Sequence, residues 1–338
     1  MTNDDARLGR YTLQRVAWVI LLSTLFFSSL VWVAWAQKPD GEDASEPLPF
    51  IDPALGLKIE PTLLKQLIES EGDQVPIIVE LKAVANLGAA LDGPDPDQRR
   101  QSVAANLQAT AQSSQSGTLA VLTERETLGA AANVRSLWIV NALAADADLE
   151  TVLALAARPE VQIVRRDREY RINDQPQTLP DARPDDQSVG WNIAQVRADL
   201  VWNALKVDGT GVVVANIDTG VDFLHPALHA QYRGYDSHGL HRHACNWFDA
   251  TGGGATYPVD SYGHGTHTMG TIVGGGGIGV APGATWIAVR AFNSQGAGLE
   301  SWLHAAMQWI VDPGPGCTPP DLVNNSWSNA WGGTDVFR

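Results

Sequence analysis

Residues 209–228 read GTGVVVANIDTGVDFLHPAL, and this stretch carries the clearest indication of the fold. A glycine-rich turn leads into an apolar run from Val212 to Ile217, the pattern of a strand buried on both faces of a parallel sheet. Asp218 follows directly, and open α/β sheets bind their ligands at the carboxyl ends of their strands. Taken alone, Asp218 could instead cap a turn. The stretch therefore predicts an α/β domain with a carboxylate at or near its ligand-binding edge.

A second stretch, DSYGHGTHTMG at residues 260–270, places His264 and His267 three residues apart among small side chains. Two histidines at this spacing can share a helix face and bind a metal. However, H-E-x-x-H zinc proteases need a spacing of four and an intervening glutamate. The alternative is proton transfer by an imidazole whose ring is oriented by a carboxylate elsewhere in the chain. Asp218 supplies that carboxylate, so the sequence favours proton transfer over metal binding.

These segments resemble the motifs of the subtilisin-like serine proteases. IDTGVDFLHPAL at 217–228 is similar to the aspartate motif, and GHGTHTMGTIVG at 263–274 is similar to the histidine motif. The resemblance implies that Asp218 is the orienting acid and His264 the general base, whereas His267 falls at a structural position. Subtilisin itself is the standard example of the chain order Asp, His, Ser. The segments HTMGTIVG, AMQW and VNNSW are most similar to the bacillopeptidase F branch of this family.

Three further segments extend the resemblance: 279–292, 296–302 and 321–328. The last two correspond to the walls of the substrate cleft, so the family implies that they bind the substrate backbone. The residues expected to contact substrate are Gly296, Ala297, Gly298, Glu300, Ser326, Trp327 and Ser328. Glu300 falls where the family lines the pocket for the fourth residue before the cut, which favours Lys or Arg there. Ser328 departs from the pattern, since the family more often has glycine at this position.

The segment that the family uses for its nucleophile is not found in the sequence. Ser326 and Ser328 belong to the cleft wall, and SGTLA at 116–120 precedes the aspartate motif. We therefore expect the nucleophilic serine and the oxyanion asparagine beyond Arg338. On this expectation the chain holds a subtilisin-like α/β sheet that is incomplete at its C-terminus, and the chain alone is an inactive fragment.

The preceding part of the chain has a different pattern, typical of an α+β ferredoxin-like sandwich. The predicted strands are Val75–Leu81, 161–167 and a segment around Val140, and the predicted helices are 95–115 and 148–160. Residues 61–173 resemble the inhibitory propeptide of subtilases. That resemblance implies that they serve the catalytic domain as an intramolecular inhibitor and chaperone. An unrelated accessory α+β domain is the alternative.

The N-terminal sequence predicts export. Residues 16–36 are uncharged and mostly apolar, follow three arginines, and end in AWA. Residues 1–36 therefore form either a cleaved signal peptide or a retained membrane anchor. An acidic linker at 37–60 and a processing linker at 174–189 flank the predicted propeptide, and residues 190–338 form the catalytic portion. The net charge of −15 argues against a nucleic-acid partner and fits a secreted or membrane-anchored protein outside the cytoplasm.

Two cysteines and one histidine-rich segment leave alternatives open. Cys245 and Cys317 can pair in an exported protein, but sequence does not give their distance. The segment HGLHRHAC at 238–245 could bind zinc through His238, His241, His243 and Cys245, although an ordinary surface loop is favoured. The family resemblance implies no cofactor for catalysis and no metal ligand among the site residues. It also allows a structural calcium ion near acidic loops such as those of Asp236 or Asp249.

The sequence thus predicts an exported subtilisin-like serine endopeptidase that hydrolyses polypeptide substrates. The alternative is a non-enzymatic, membrane-anchored pseudoprotease or interaction module that keeps only the first half of the fold.

Overall fold

The computed structural model describes residues 52–70, 72–172, 189–236 and 238–328. The described residues fall within one compact unit. Within the described ranges, every helix is too short or too polar to cross a membrane. The predicted leader at 1–36 lies outside these ranges, as does the processing linker up to residue 188. Their roles stay predictions.

The first part of the chain is a four-stranded antiparallel sheet with helices on one side. Its elements in chain order are α1 (Pro53–Gly56), α2 (Pro61–Glu69), β1 (Val75–Leu81), α3 (Gly88–Leu91), α4 (Pro96–Thr127), β2 (Ala131–Leu137), β3 (Ala142–Ala147), α5 (Leu149–Ala156) and β4 (Val161–Arg166). The strand order β2-β3-β1-β4 with the sequence βαββαβ is the ferredoxin-like arrangement. One apolar core joins α2, α4 and α5 to the inner face of the sheet.

Two details of this sandwich differ from the sequence prediction. Residues 138–141 form the turn between β2 and β3 and are not the centre of a strand. Strand β2 was missed because it lies at the sheet edge and alternates only weakly between apolar and polar residues. Helix α4 continues to Thr127 rather than ending at Gln115, because polar Ser and Gln residues hide its helical period.

The second part is a parallel sheet with helices on both faces, which confirms the α/β prediction. Its elements are β5 (Glu169–Arg171), α6 (Trp191–Val196), α7 (Ala198–Leu200), β6 (Val213–Asp218), β7 (Trp247–Asp249), α8 (His264–Val273), β8 (Thr285–Arg290), β9 (Ala297–Leu299), α9 (Glu300–Val311) and β10 (Leu322–Asn324). A π-helical turn (Val201–Leu205) follows α7, and a 3-10 turn (His229–Gln231) follows β6. The strands run parallel in the order β10-β6-β8-β7.

Alternating residues of β6 and β8 explain how this sheet is covered. Val214 and Trp286 face one side and pack with Met269 of α8. Ala215 and Ile287 face the other side, where α9 packs. Because both faces are buried, β6 is mostly apolar, with Asn216 and Asp218 as its polar residues, and this pattern is the feature that made it recognisable in the sequence.

A disulfide joins Cys245, just before β7, to Cys317, after α9, with a Cα–Cα distance of 5.2 Å. This answers the question that the sequence left open. The guanidinium of Arg233 supports the same junction, because it donates hydrogen bonds to the carbonyl oxygens of Cys245 at 2.5 Å and Thr318 at 2.9 Å. The bridge therefore fastens the β7 edge of the sheet to the loop that leads into β10.

Replacing Cys245 and Cys317 together by serine should lower the free energy of unfolding by up to about 4 kcal/mol. The bridge spans 72 residues, and a longer closed loop restricts the unfolded chain more. Urea unfolding followed by tryptophan fluorescence measures the change. Reduced wild-type protein is the control and should unfold at the same urea concentration as the double variant. Equal midpoints for the oxidised wild type and the double variant would contradict the expectation.

Candidate active site

Asp218 lies at the carboxyl end of β6 and is fully buried. Its Oδ1 lies 2.7 Å from Nδ1 of His264, and it accepts a hydrogen bond from the backbone N–H of Thr219 at 2.7 Å. The hydroxyl of Thr268 lies 3.1 Å from the other carboxylate oxygen, Oδ2. Buried charge is costly unless hydrogen bonds compensate it, so these donors hold the carboxylate in one orientation.

His264 is the first residue of α8, and its ring faces Asp218. Because the carboxylate accepts a hydrogen bond from Nδ1–H, the neutral ring carries its basic lone pair on Nε2. The side chain keeps 14% of its surface exposed, so a reactant can approach the ring. This is the geometry of a general base oriented by an acid.

The start of α8 is fixed by Asp260. Its carboxylate accepts hydrogen bonds from the backbone N–H groups of Gly263 at 2.8 Å and Thr266 at 2.8 Å, and from the Thr266 hydroxyl at 2.7 Å. An acceptor at this place satisfies N–H groups that the first helical turn leaves unpaired. Gly263 has φ +96°, a left-handed conformation that glycine adopts readily. The turn thereby sets the position of His264.

Thr219 ties the two motifs together. Its hydroxyl donates to Asp260 at 2.9 Å and accepts the backbone N–H of Gly265 at 2.9 Å. Gly265 also packs so closely on Gly220 that a Cβ atom there would overlap the carbonyl oxygen of Gly220. The absence of a side chain at Gly265 is therefore what lets the helix approach the strand end closely enough for the Asp218–His264 contact.

Strand β9, which contains Ala297 and Gly298, is the segment predicted to form one wall of the substrate cleft. Strand β5 of the same chain pairs with it in antiparallel register, Tyr170 opposite Gly298 and Arg171 opposite Ala297. The pairing continues through the Ile172 N–H, which donates to the Gly296 carbonyl at 2.8 Å. An extended segment of this chain thus lies on the wall that sequence analysis assigned to substrate.

The other predicted wall contributes Trp327, whose ring centroid lies 6.3 Å from that of Tyr170 in an edge-to-face arrangement. The indole N–H of Trp327 donates to the Ile217 carbonyl at 2.9 Å, which anchors it to the central strand. Ser326 and Ser328 are exposed. The structure therefore brings β9 and Trp327 together around Tyr170.

Glu300 occupies a different setting from the open pocket that we expected. It is buried, and its carboxylate accepts two hydrogen bonds from the Arg165 guanidinium, at 2.7 and 2.9 Å. The Glu80 carboxylate accepts a hydrogen bond from Nε of the same guanidinium, at 2.5 Å. Burial acts to lower the pKa of Arg165, but the hydrogen bonds that its guanidinium donates to Glu300 and Glu80, with the charges of these carboxylates, raise the pKa overall. While Arg165 covers Glu300, a substrate side chain has no access to that carboxylate.

Asp167 makes a further contact with α9. Its carboxylate accepts the backbone N–H of Ser301 at 3.0 Å, in the first turn of that helix. Burial raises the pKa of Asp167 to about 6, although the hydrogen bonds from Ser301 oppose that effect. Residues 165–172 therefore bind the start of α9 and the edge of β9 together.

Comparison with known proteins agrees with this geometry. Residues 209–337 match the family model described as the subtilase family of S8 peptidases. They belong to the subtilase family. Bacillopeptidase F of Bacillus subtilis (strain 168) is 36% identical over 272 residues, which cover 71% of this chain and 19% of that protein. The predicted resemblance to subtilases and to the bacillopeptidase F branch is thus confirmed.

Two more similarities complete the comparison. Subtilisin E of Bacillus subtilis (strain 168) is 29% identical over 208 residues, covering 58% of this chain and 44% of that protein. A crystal structure of fervidolysin from Fervidobacterium pennivorans, described as a keratinolytic enzyme related to subtilisin, aligns with a TM-score of 0.46 and 17% identity, covering 78% of this chain and 37% of that chain. The chain spans about a fifth of bacillopeptidase F and under half of subtilisin E.

The other residues considered in the sequence lie away from the Asp218–His264 pair. His267 is on the exposed side of α8. Ser116 lies within α4 of the ferredoxin-like sandwich. Sequence reasoning missed Asp260, Thr219 and Thr268 as support for the pair. A carboxylate just before a helix start is a recognisable signal, whereas the two threonines matter only through tertiary contacts.

The histidine-rich segment is not arranged as a zinc site. Cys245 is in the disulfide, His241 lies with Nε2 2.9 Å from Nε2 of His229, and His243 lies with Nδ1 3.0 Å from the Tyr232 hydroxyl. Among the described residues, groups of three or more His, Cys, Asp or Glu side chains able to hold a metal are absent.

The two acidic loops considered for calcium do not fit that ion. The Asp236 carboxylate accepts the N–H groups of Leu240 and His238, both within its own loop. Asp249 accepts hydrogen bonds from Thr251 and Ala255 in the same way. Both carboxylates are thus taken up by their own loops, whereas calcium needs six to eight converging oxygen ligands.

Substituting Gly265 by alanine should separate His264 from Asp218. The new methyl group would overlap the Gly220 carbonyl oxygen. Because both groups belong to backbone, the overlap is relieved only if α8 shifts away from β6. We expect a loss of several kcal/mol of stability, typical of overpacking at a buried site, measured by thermal unfolding. Gly270→Ala in the same helix is the control, since a Cβ there meets open space. It should stabilise slightly, by up to about 1 kcal/mol. Equal effects of the two variants would contradict the close-approach argument.

Proposed function

We propose that this chain is part of an exported serine endopeptidase in which Asp218 and His264 are the acid and base. The observation that carries the proposal is the 2.7 Å contact between Asp218 Oδ1 and His264 Nδ1 at the carboxyl end of a buried parallel strand. The family match over residues 209–337 supports the same reading. No cofactor is required for this chemistry.

The arrangement supports formation of an acyl-enzyme, the first half of peptide hydrolysis, in two proton-transfer steps. His264 accepts the proton of a serine hydroxyl through Nε2 as the oxygen attacks the carbonyl carbon of the peptide bond. The same nitrogen then returns the proton to the leaving amine. Water next attacks the acyl-enzyme and regenerates the serine hydroxyl by the same transfers in reverse. Asp218 holds the ring in the required tautomer and stabilises the imidazolium while it exists, and its burial strengthens that interaction.

Residues 61–173 act as an inhibitory propeptide in this proposal. Strand β5 supports the assignment, because it pairs with the free edge of β9 where an extended substrate would add as a strand. Tyr170 packs near Trp327. The Ile172 N–H donates to the Gly296 carbonyl, and the Ile172 carbonyl accepts a hydrogen bond from the Tyr262 hydroxyl. A substrate cannot occupy this edge until β5 leaves.

Export is supported by two features of the chain. The disulfide between Cys245 and Cys317 is a bond that persists in oxidising compartments outside the cytoplasm. The apolar segment at 16–36 has the length and flanking charges of a secretion signal or membrane anchor. The proposed site of action is therefore extracytoplasmic, with polypeptides as substrates.

The catalytic assignment predicts distinct losses in protein expressed from its intact gene. His264→Ala should reduce kcat on a peptide substrate by on the order of a million-fold, the size of loss seen in subtilisin itself. Asp218→Asn should cost about ten-thousand-fold, because the ring loses the partner that orients it. The control is His267→Ala, which should keep near-normal turnover. A wild-type protein that hydrolyses no peptide and reacts with no fluorophosphonate would favour the pseudoprotease instead.

The propeptide assignment predicts that Arg165→Leu loosens β5. The substitution leaves the Glu300 carboxylate buried without its cation, and breaking a buried pair in this way typically costs about 3–5 kcal/mol. Native-state hydrogen exchange of the Ile172 amide should accelerate by about a hundred-fold or more. The matched control is Arg166→Leu, whose side chain is exposed and 3.9 Å from Glu60. Unchanged exchange in Arg165→Leu would show that the ion pair does not hold the segment.

A further inference from the structure

Three buried or half-buried polar side chains extend from the second cleft wall to Asp218. Asn324 of β10 donates to Oδ1 of Asn216 in β6 at 2.8 Å. The Nδ2 of Asn216 lies 3.1 Å from the Gly265 carbonyl and 3.0 Å from the Thr268 hydroxyl. That hydroxyl lies 3.1 Å from Oδ2 of Asp218. Asn216 and Asp218 are both fully buried, so water does not compete for these groups.

The orientation of the Asn216 amide follows from its neighbours. The Gly265 carbonyl can only accept, so the atom facing it must be the Nδ2 donor. The remaining oxygen then accepts from Asn324, and the second Nδ2 proton points to the Thr268 hydroxyl oxygen. Every donor and acceptor of Asn216 is therefore used in this one orientation.

The Thr268 hydroxyl has a single proton and two acceptors within reach. One is Oδ2 of Asp218 and the other is the Gly265 carbonyl, each at 3.1 Å. The carbonyl already accepts from Asn216, whereas Oδ2 carries negative charge. Hydrogen bonds to ionised acceptors are roughly twice as strong as neutral ones. The proton therefore goes to Asp218, while the oxygen accepts from Asn216.

We propose that Thr268 is a positioning residue for the Asp218–His264 pair, with Asn216 fixing the direction of its hydroxyl. Thr268 lies one helical turn after His264, so α8 supplies both the base and a donor to the acid that orients it. Together with the Thr219 N–H, the Thr268 hydroxyl holds the carboxylate in one orientation. In that orientation Asp218 accepts the hydrogen bond from the imidazole N–H. The hydrogen bonds of Thr268 do not depend on the proposed function; only the role of the Asp218–His264 pair in catalysis rests on it.

The donor also sets how strongly the carboxylate attracts a proton on the ring. Each hydrogen bond to Asp218 spreads its negative charge, which weakens its hold on the imidazolium. Removing the Thr268 hydroxyl should concentrate that charge and favour protonated His264. The Asp260 carboxylate, which lies in the turn before α8, stays unchanged in the variants below.

The test is the ring titration of His264, followed by NMR in the full 338-residue chain labelled with 15N-histidine. Thr268→Val keeps the shape of the side chain but removes the hydroxyl. It should raise the midpoint of the His264 titration by about half a pH unit or more and move the Nδ1 proton resonance. Thr268→Ser retains the hydroxyl and should restore wild-type behaviour. Thr271→Val is the control, because its hydroxyl donates to the His267 carbonyl instead.

Wild-type titration in Thr268→Val would overturn the inference, as would equal shifts in the Ser and Val variants, since the effect would then come from shape. A shift of the same size in Thr271→Val would overturn it too. Should Thr268→Val fail to fold, Thr268→Ala carries the same comparison. The readout needs no turnover, so it tests the Thr268 hydrogen bond separately from the proposed protease activity, which the peptide and fluorophosphonate assays above address.

Discussion

The close approach of α8 to the end of β6 is the constraint on which the site depends. It brings the first residue of the helix against a fully buried carboxylate, and it requires Gly265 beside the Gly220 carbonyl. Burying Asp218 without donors would be unfavourable, so the surrounding loops supply them. Asp260 and Thr219 hold the helix start while Thr219 also binds the carboxylate through its N–H. The geometry of the Asp218–His264 pair therefore depends directly on how closely α8 packs against β6.

The same logic explains why an extended segment lies on β9. That strand is three residues long and forms a two-stranded sheet with β5 alone, so its backbone groups would otherwise face solvent or another strand. Strand β5 satisfies them, and Tyr170 and Ile172 join the apolar core around α9. Occupying an edge in this way needs few specific side chains, which is why a protease can accept many sequences at such a wall.

Much of this could be read from the sequence because the deciding features are local. The apolar run of β6 ending in Asp218, and His264 among glycines, each follow from what a buried strand or a close approach requires. Strand β2 and the last turns of α4 escaped prediction because their stability comes from neighbours, not from their own pattern. The burial of Glu300 under Arg165 could not be predicted for the same reason. Its environment is set by Arg165, 135 positions earlier, and no local rule connects the two.

The ferredoxin-like sandwich and the parallel-sheet part contact each other mainly through polar groups. Among the described residues, the apolar core of the ferredoxin-like sandwich is distinct from the cores of the parallel sheet. The contacts between the two parts include two hydrogen bonds, from Arg135 to the Ala250 carbonyl and from the Ile139 N–H to Oε1 of Gln308. They also include the ion pair of Arg165 and Glu300. Polar contacts of this kind specify one docked arrangement while adding little net stability. Apart from the apolar side chains of β5 and Ile172, each part keeps its own core. The role proposed for residues 61–173, a propeptide that guides docking and later leaves, requires that division between specificity and stability.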